Sequence, residues 1–306
     1  MIFKLSKNIQ FSQYYKRMNI LSFILIILSI FFLSIKGLNL GVDFKGGTLI
    51  EVRIENPNVK INQIRESLLD MNLGDVNVKK FGTEKDYLIK IEMTNSNNEN
   101  FITSMKDKLS VILNSDVNFR RVENVGPKVS KELMEKGLLA ILLSLAAMLF
   151  YIWIRFEWQF SLGAIIAIIH DVLITMGLFS LLSYEVNLSI VAAVLTIVGY
   201  SMNDTVVIFD RIRENLRKYT RVSISNISNN STNETLSRTL ITSVTTLLAL
   251  SAIFIFGGEI LKGFSFAMIT GVIVGTYSSI FVATPILNYT KVTSKTVLKD
   301  DNKENF

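Results

Sequence analysis

The chain has 306 residues, 49% of them hydrophobic and 19% charged, with a formal net charge of +6. The apolar residues come in long blocks, as membrane spans do, which excludes an ordinary soluble domain. There is no cysteine and only one histidine, His170, so disulfides, thiol catalysis and cysteine- or histidine-based metal sites and triads are excluded as well.

Residues 1–19 are polar and carry Lys4, Lys7, Lys16 and Arg17. The apolar run that follows predicts a first transmembrane segment over 20–36. The leader is long and no alanine precedes Ala140, so no small-residue cleavage site is present and the run reads as an uncleaved anchor. From 37 to 136 the composition is that of a soluble domain. It opens on Gly41-Val42-Asp43-Phe44-Lys45-Gly46-Gly47, and its periodicities predict strand 48–54, helix 61–71, strands 76–81 and 87–93 around a turn at Gly82, helix 99–113 and strand 117–122. That β-α-β-β-α-β order predicts a ferredoxin-like α+β domain.

Pro127 suits the first turn of a new helix, which enters a five-helix bundle over 137–287. Helices are expected at 138–154, 160–182, 189–209, about 239–256 and 264–287. The Asn- and Ser-rich stretch 211–237 reads as a loop, with 222–235 a tolerated surface segment, and 288–306 as a basic tail. The asparagines Asn226, Asn229, Asn230 and Asn233 match the N-x-[ST] pattern by chance in that loop. Trp153 and Trp158 flank the 155–158 turn as interfacial anchors. The whole is a polytopic α-helical membrane protein of six transmembrane helices. Basic residues gather in the leader, the 155 turn, the 211–237 loop and the tail. That distribution predicts both termini in the cytoplasm and the α+β domain outside it.

The segment 195–217 holds the candidate working residue. It begins as an apolar helix and ends as a charged one, with Asn203 and Asp204 in the apolar half. A carboxylate at the bilayer centre costs about 2.5–3.5 kcal/mol, so such residues are usually functional and suit proton relay; a packed polar residue is the alternative. Arg238, at the start of the fifth helix, reads equally as a partner for Asp204 and as an arginine snorkelling at a helix end. Asp171 in the third helix should face the bundle interior. His170 beside it should point elsewhere, so the two are not expected to pair. Asp210 reads as a helix-end ion pair with its basic neighbours. The hydroxyls Thr242, Ser243, Thr245 and Thr246 can bond between helices or line a wet path, and Gly271-x-x-x-Gly275 reads as a packing face. No phosphate-binding loop is present. A proton crossing the membrane carries about 2.3 kcal/mol per 100 mV, so an acidic relay is a sufficient coupling device.

These motifs are similar to those of the SecD/SecF family of protein-export membrane subunits, on the SecF side, over nearly the whole length. The likeness rests on the 41–47 motif, on Val125-Gly126-Pro127-Lys128-Val129-Ser130, on His170-Asp171, on residues 199–215 of the fourth helix, and on Ser237-Arg238-Thr239 with Thr242, Ser243, Thr245 and Thr246. The resemblance implies a non-enzymatic auxiliary subunit without cofactor or metal, in the bacterial inner membrane, related to resistance-nodulation-division transporters. It implies pairing with SecD, association with the SecYEG translocon and YajC/YidC-type accessory proteins, exported unfolded polypeptides as substrate, use of the proton-motive force, and no nucleic acid. It also implies Asp204 and Arg238 as proton-pathway residues, with Asp171, Asn203, Thr242 and Thr245 as supporting polar groups. Asp43, Gly46 and Gly47 form the family motif at the start of the external domain. Two readings of other classes remain: a stand-alone proton-coupled small-molecule exporter, and a structural scaffold whose acids serve packing.

Overall fold

Charged and apolar blocks sort into a six-helix bundle with an α+β domain standing on one end of it. A computed structural model describes residues 8–56, 59–71, 73, 76–80, 83, 85–91 and 99–301. The turn expected at Gly82, part of the leader and the end of the strand expected over 87–93 lie outside the described residues.

In chain order, a 3₁₀ turn at Phe11–Gln13 leads into α1 (Tyr15–Ile35) and a two-residue strand β1 (Asn39–Leu40). A single helical turn, α2 (Val42–Lys45), delivers the chain through Gly46 into β2 (Gly47–Ile54), followed by α3 (Ile61–Leu69), β3 (Val76–Lys80), β4 (Asp86–Ile91), α4 (Glu99–Ile112) and β5 (Val117–Val125). The bundle continues with α5 (Pro127–Arg155), α6 (Trp158–Leu182), β6 (Glu185–Val186), α7 (Leu188–Lys218), α8 (Ile224–Phe256) and α9 (Gly258–Ser278). The last span carries on through a π-helical segment, Ser279–Ala283, into α10 (Thr284–Tyr289), and α11 (Ser294–Asp301) follows. Six of these helices are long and apolar enough to cross a membrane.

The four-stranded sheet has the order β3-β4-β2-β5, all antiparallel, as the ferredoxin-like pattern requires. Alternation along β2 puts Ile50, Val52 and Ile54 under the helices with Ile64, Leu68, Met105 and Leu109. Gly47 enters β2 at φ +125, and an added Cβ there would lie 2.5 Å from the Ile91 carbonyl oxygen. Gly47→Ala is therefore expected to destabilise the domain by about 1–3 kcal/mol, read as a lower thermal midpoint of the purified chain.

Arg53 donates two hydrogen bonds to Asp86, at 2.8 and 2.9 Å, and Thr83 donates a third at 2.6 Å. The Arg53 hydrogen bonds hold the Asp86 carboxyl well below the usual carboxylate range, against burial, which pushes it up. Because the folded group is the stronger acid, its contribution is complete above the unfolded carboxylate range. It is lost as pH falls toward the depressed folded value. Asp86→Asn should lower the unfolding midpoint at neutral pH, and the gap to wild type should close on acidification.

In the bundle, α6, α7 and α9 with its continuation form the inner layer, while α1, α5 and α8 present long apolar flanks outward. Gly271 and Gly275 let α9 approach Ile197 and Ser201 of α7, as the small-residue spacing suggests. Pro285 supplies the physical reason for the π segment. It has no N–H to give the carbonyl four residues back, and its ring would crowd that carbonyl, so the helix widens ahead of it.

The stretch 211–237 is not a loop. α7 runs on to Lys218, and α8 begins at Ile224, where the Ser223 hydroxyl caps it. Asn229 accepts a bond from the Ser12 amide and donates to Gln10 and Ser12, while Asn233 accepts from the Ile9 amide and donates to its carbonyl. Two of those asparagines, Asn229 and Asn233, thus clamp the leader, so 222–235 is not a tolerated surface segment, and Ile227, Ser228, Ser231 and Thr232 are buried beside them. At the same end the 155–158 turn is held to α7 by Arg213–Glu157 at 3.0 Å and Arg155–Asp210 at 3.0 Å. Asp210 does form an ion pair, but across the bundle with Arg155 rather than with the neighbouring Arg211 or Arg213. Trp153 and Trp158 are both exposed on either side of that turn.

Candidate functional site

Asp171 and Asp204 are both buried within the membrane-spanning helices, and their surroundings differ. Asp171 of α6 is fully buried. Ser201 of α7 donates to its Oδ2 at 2.5 Å, and Ser278 at the end of α9 donates to the same oxygen at 2.7 Å. Its Oδ1 lies 2.8 Å from Nδ1 of His170. The expectation that His170 and Asp171 do not pair is corrected. Side chains on adjacent helical residues diverge, but both are long enough to meet tangentially in a packed interior where neither has water as a competitor. The His170 ring also stacks on Tyr277, with centroids 6.0 Å apart. Among the described residues its Nε2 has no hydrogen-bond partner. Asp171 is thus a hub joining the three inner helices, with both oxygens engaged.

Asp204 lies one turn further along α7 from Ser201 and is buried as well. Among the described residues its one hydrogen bond comes from the hydroxyl of Thr276 of α9, at 3.5 Å, the outer limit of such a bond. Thr276 in turn lies 2.8 Å from the Ser243 hydroxyl of α8. Beside it, Thr205 meets Ser279 of the π segment at 2.8 Å. The π segment brings Ser279 onto α7 directly after Ser278 turns to Asp171, so both serines reach the inner face from adjacent positions. Asp204 sits at the meeting point of α7, α8 and α9 with most of its bonding capacity unused.

Arg238 is exposed and, among the described residues, forms no ion pair with Asp204. Asn203 faces outward, away from the acid. Thr242 and Thr245 bond to carbonyls of their own helix, at Arg238 and Thr239 and at Ile241 and Thr242 respectively. The hydroxyls that do meet the acids, Ser201, Thr276 and Ser278, do not stand out in the sequence, nor does Ser279, which meets Thr205; Ser243, which meets Thr276, does, as one of a group. Four-residue spacing from Ser201 to Thr205, and the close run Thr276, Ser278, Ser279, are the sequence signals that could have marked them. No group of three or more metal-ligating side chains occurs among the described residues.

At the domain end, Asp43 accepts a hydrogen bond from the Leu188 amide at 2.9 Å. Gly46 turns at φ +80 between α2 and β2. The motif that opens the domain thus also touches the first residue of the helix that carries Asp204.

Two family descriptions match: "Protein export membrane protein SecD/SecF, C-terminal" over residues 105–293 and "SecD/SecF GG Motif" over residues 31–57. The chain is 44% identical to a protein translocase subunit SecF of Rickettsia bellii, covering 87% of this chain and 88% of that one. With a SecF subunit of Vibrio alginolyticus the identity is 45%, covering 93% and 90%. The crystal structure of SecDF, a translocon-associated membrane protein of Thermus thermophilus, superposes with a TM-score of 0.86 at 32% identity, over 95% of this chain. This chain spans only 40% of that SecDF chain. SecDF in its super-membrane-facing form gives a TM-score of 0.70 at 31% identity. With two motif regions matched in place and relatives aligned over most of their length, the chain belongs to the SecD/SecF family of protein-export membrane proteins.

Proposed function

We propose that the chain is the SecF-type half of a two-part auxiliary unit of the Sec translocase, which with SecD uses the proton-motive force to promote export across the bacterial cytoplasmic membrane. The observation that carries this reading is the contrast between the two buried acids. Asp171 is held by His170 and two serines, whereas Asp204 has, among the described residues, one hydrogen bond, at 3.5 Å. An acid whose lone pairs are already satisfied resists a change of state, while one with spare capacity in a dry site can gain or lose a proton and move a helix in doing so. Asp204 is then the proton-carrying residue and Asp171 the fixed hub that ties α7 to α6 and α9.

Asn203 and Arg238 are exposed polar groups on α7 and α8. Apolar lipid would leave them unsatisfied, so a second polypeptide suits that side of the bundle. A SecD partner covering it would enclose Arg238 near Asp204. The termini and the basic end lie in the cytoplasm and the α+β domain outside, supported by the distribution of lysine and arginine. The SecYEG translocon and the exported chain are the remaining partners. Isolation of the native complex from membranes tests the pairing. A stoichiometric SecD subunit is expected, and a complex containing only copies of this chain would overturn it in favour of a stand-alone transporter.

A further inference from the structure

The α+β domain is joined to the bundle by two chain crossings of unequal character. At the second, through Gly126, a Cβ built on the glycine would meet nothing within 4 Å, and the chain runs directly into α5. The first crossing is fastened along its length to the connection between α6 and α7. Lys36 donates to the Leu181 carbonyl at 2.8 Å and Asn39 to the Ser183 carbonyl at 3.1 Å. β1 then pairs in parallel with β6, Asn39 opposite Glu185 and Leu40 opposite Val186. The Gly41 amide donates to the Val186 carbonyl at 2.8 Å, and a side chain at Gly41 would collide with Glu185. From the sheet itself, Lys90 reaches the Leu40 carbonyl at 3.2 Å and Glu185 at 3.5 Å.

The fastening ends on a helix. Among the first amides of α7, which have no intrahelical acceptor, that of Ile190 is met by the side chain of Asn187 and that of Leu188 by the carboxylate of Asp43. A negative charge at this position also complements the helix dipole. Four residues after Asp43 the chain is already in β2, a central strand of the domain sheet. From Leu188 the helix runs sixteen residues to Asp204, about 24 Å of continuous hydrogen-bonded rod at 1.5 Å per residue.

We infer that Asp43 is a positioning residue. By capping α7 it keeps the domain and the helix that carries Asp204 in one mechanical piece, so a displacement at either end is delivered to the other. The inference rests on the proton-coupled export proposed above. It adds that the joint between β1, β6 and the start of α7 stays closed through the working cycle.

The test uses the chain in its complex with SecD, reconstituted with translocon and an export substrate under an imposed proton gradient. Asp43→Ala should leave the complex assembled, speed hydrogen exchange at the Leu188 amide roughly fivefold to tenfold, and remove most of the gradient-stimulated translocation. Asp43→Asn keeps an acceptor oxygen for the Leu188 amide and should restore both. Wild-type stimulation in Asp43→Ala, or lost stimulation with unchanged exchange, would overturn the inference.

A second variant needs no loss of the cap. The chain has no native cysteine, so Asn39→Cys with Glu185→Cys offers a single reversible bridge across the β1–β6 pair. Oxidation should leave gradient stimulation intact, and its disappearance on oxidation would show that the joint must open. If the wild-type complex shows no gradient stimulation at all, the proposed function fails, while the exchange measurement still reports on the link by itself.

Discussion

Asp204→Asn is expected to remove the gradient-stimulated part of translocation while the complex remains assembled. The amide is nearly isosteric with the carboxyl and can still meet Thr276, so the Asp204–Thr276–Ser243 contact between α7, α9 and α8 survives. What is lost is the ability to carry a proton. Each proton moved down a 100 mV gradient supplies about 2.3 kcal/mol, roughly 50-fold in a rate if all of it reached the limiting step. The fall should therefore be to the rate seen without a gradient, and raising the gradient should not recover it. Residual stimulation equal to wild type would return Asp204 to a packing role.

Asp171→Leu should have the larger effect on stability. It removes the acceptor for Ser201 and Ser278 and leaves the His170 ring nitrogen unpaired, in a site closed to water. Unsatisfied buried groups cost about 1–3 kcal/mol each in proteins, and hydrogen bonds between membrane helices average below 1 kcal/mol. A loss of about 2–4 kcal/mol follows. Asp171→Asn keeps one acceptor and should cost about 1 kcal/mol. Thermal unfolding of the purified complex reads the difference. Equal midpoints for Leu and Asn would show that the serines find other partners and that the hub is not what joins α6, α7 and α9.

Much of this architecture is legible in the order of the residues alone. A charge inside an apolar run stands out against its background, which is why Asp171 and Asp204 can be picked out directly. The alternation over 48–54 and the turn residues around it likewise fix the β-α-β-β-α-β order. The start of α8 is hidden because serine and asparagine are poor helix formers, and their bonds to Ile9, Gln10 and Ser12 join residues more than two hundred positions apart. Serines in apolar helices are common and mark nothing singly. Ser278 and Ser279 gain their role from the widening ahead of Pro285, which a 3.6-residue pattern does not anticipate. The β1–β6 pair is two residues long, too short for any periodicity. Its partners, and the Asp43 cap beside it, come together only when α6 and α7 fold back as a hairpin.

The most direct measurement of proton coupling is the rate at which a substrate protein emerges across liposomes holding the wild-type complex and translocon, with and without an imposed proton gradient. A gradient-dependent rise that a protonophore collapses, and that Asp204→Asn never shows, is the expected result. A rate indifferent to the gradient would contradict the assignment of Asp204 and of the whole bundle to proton-driven export.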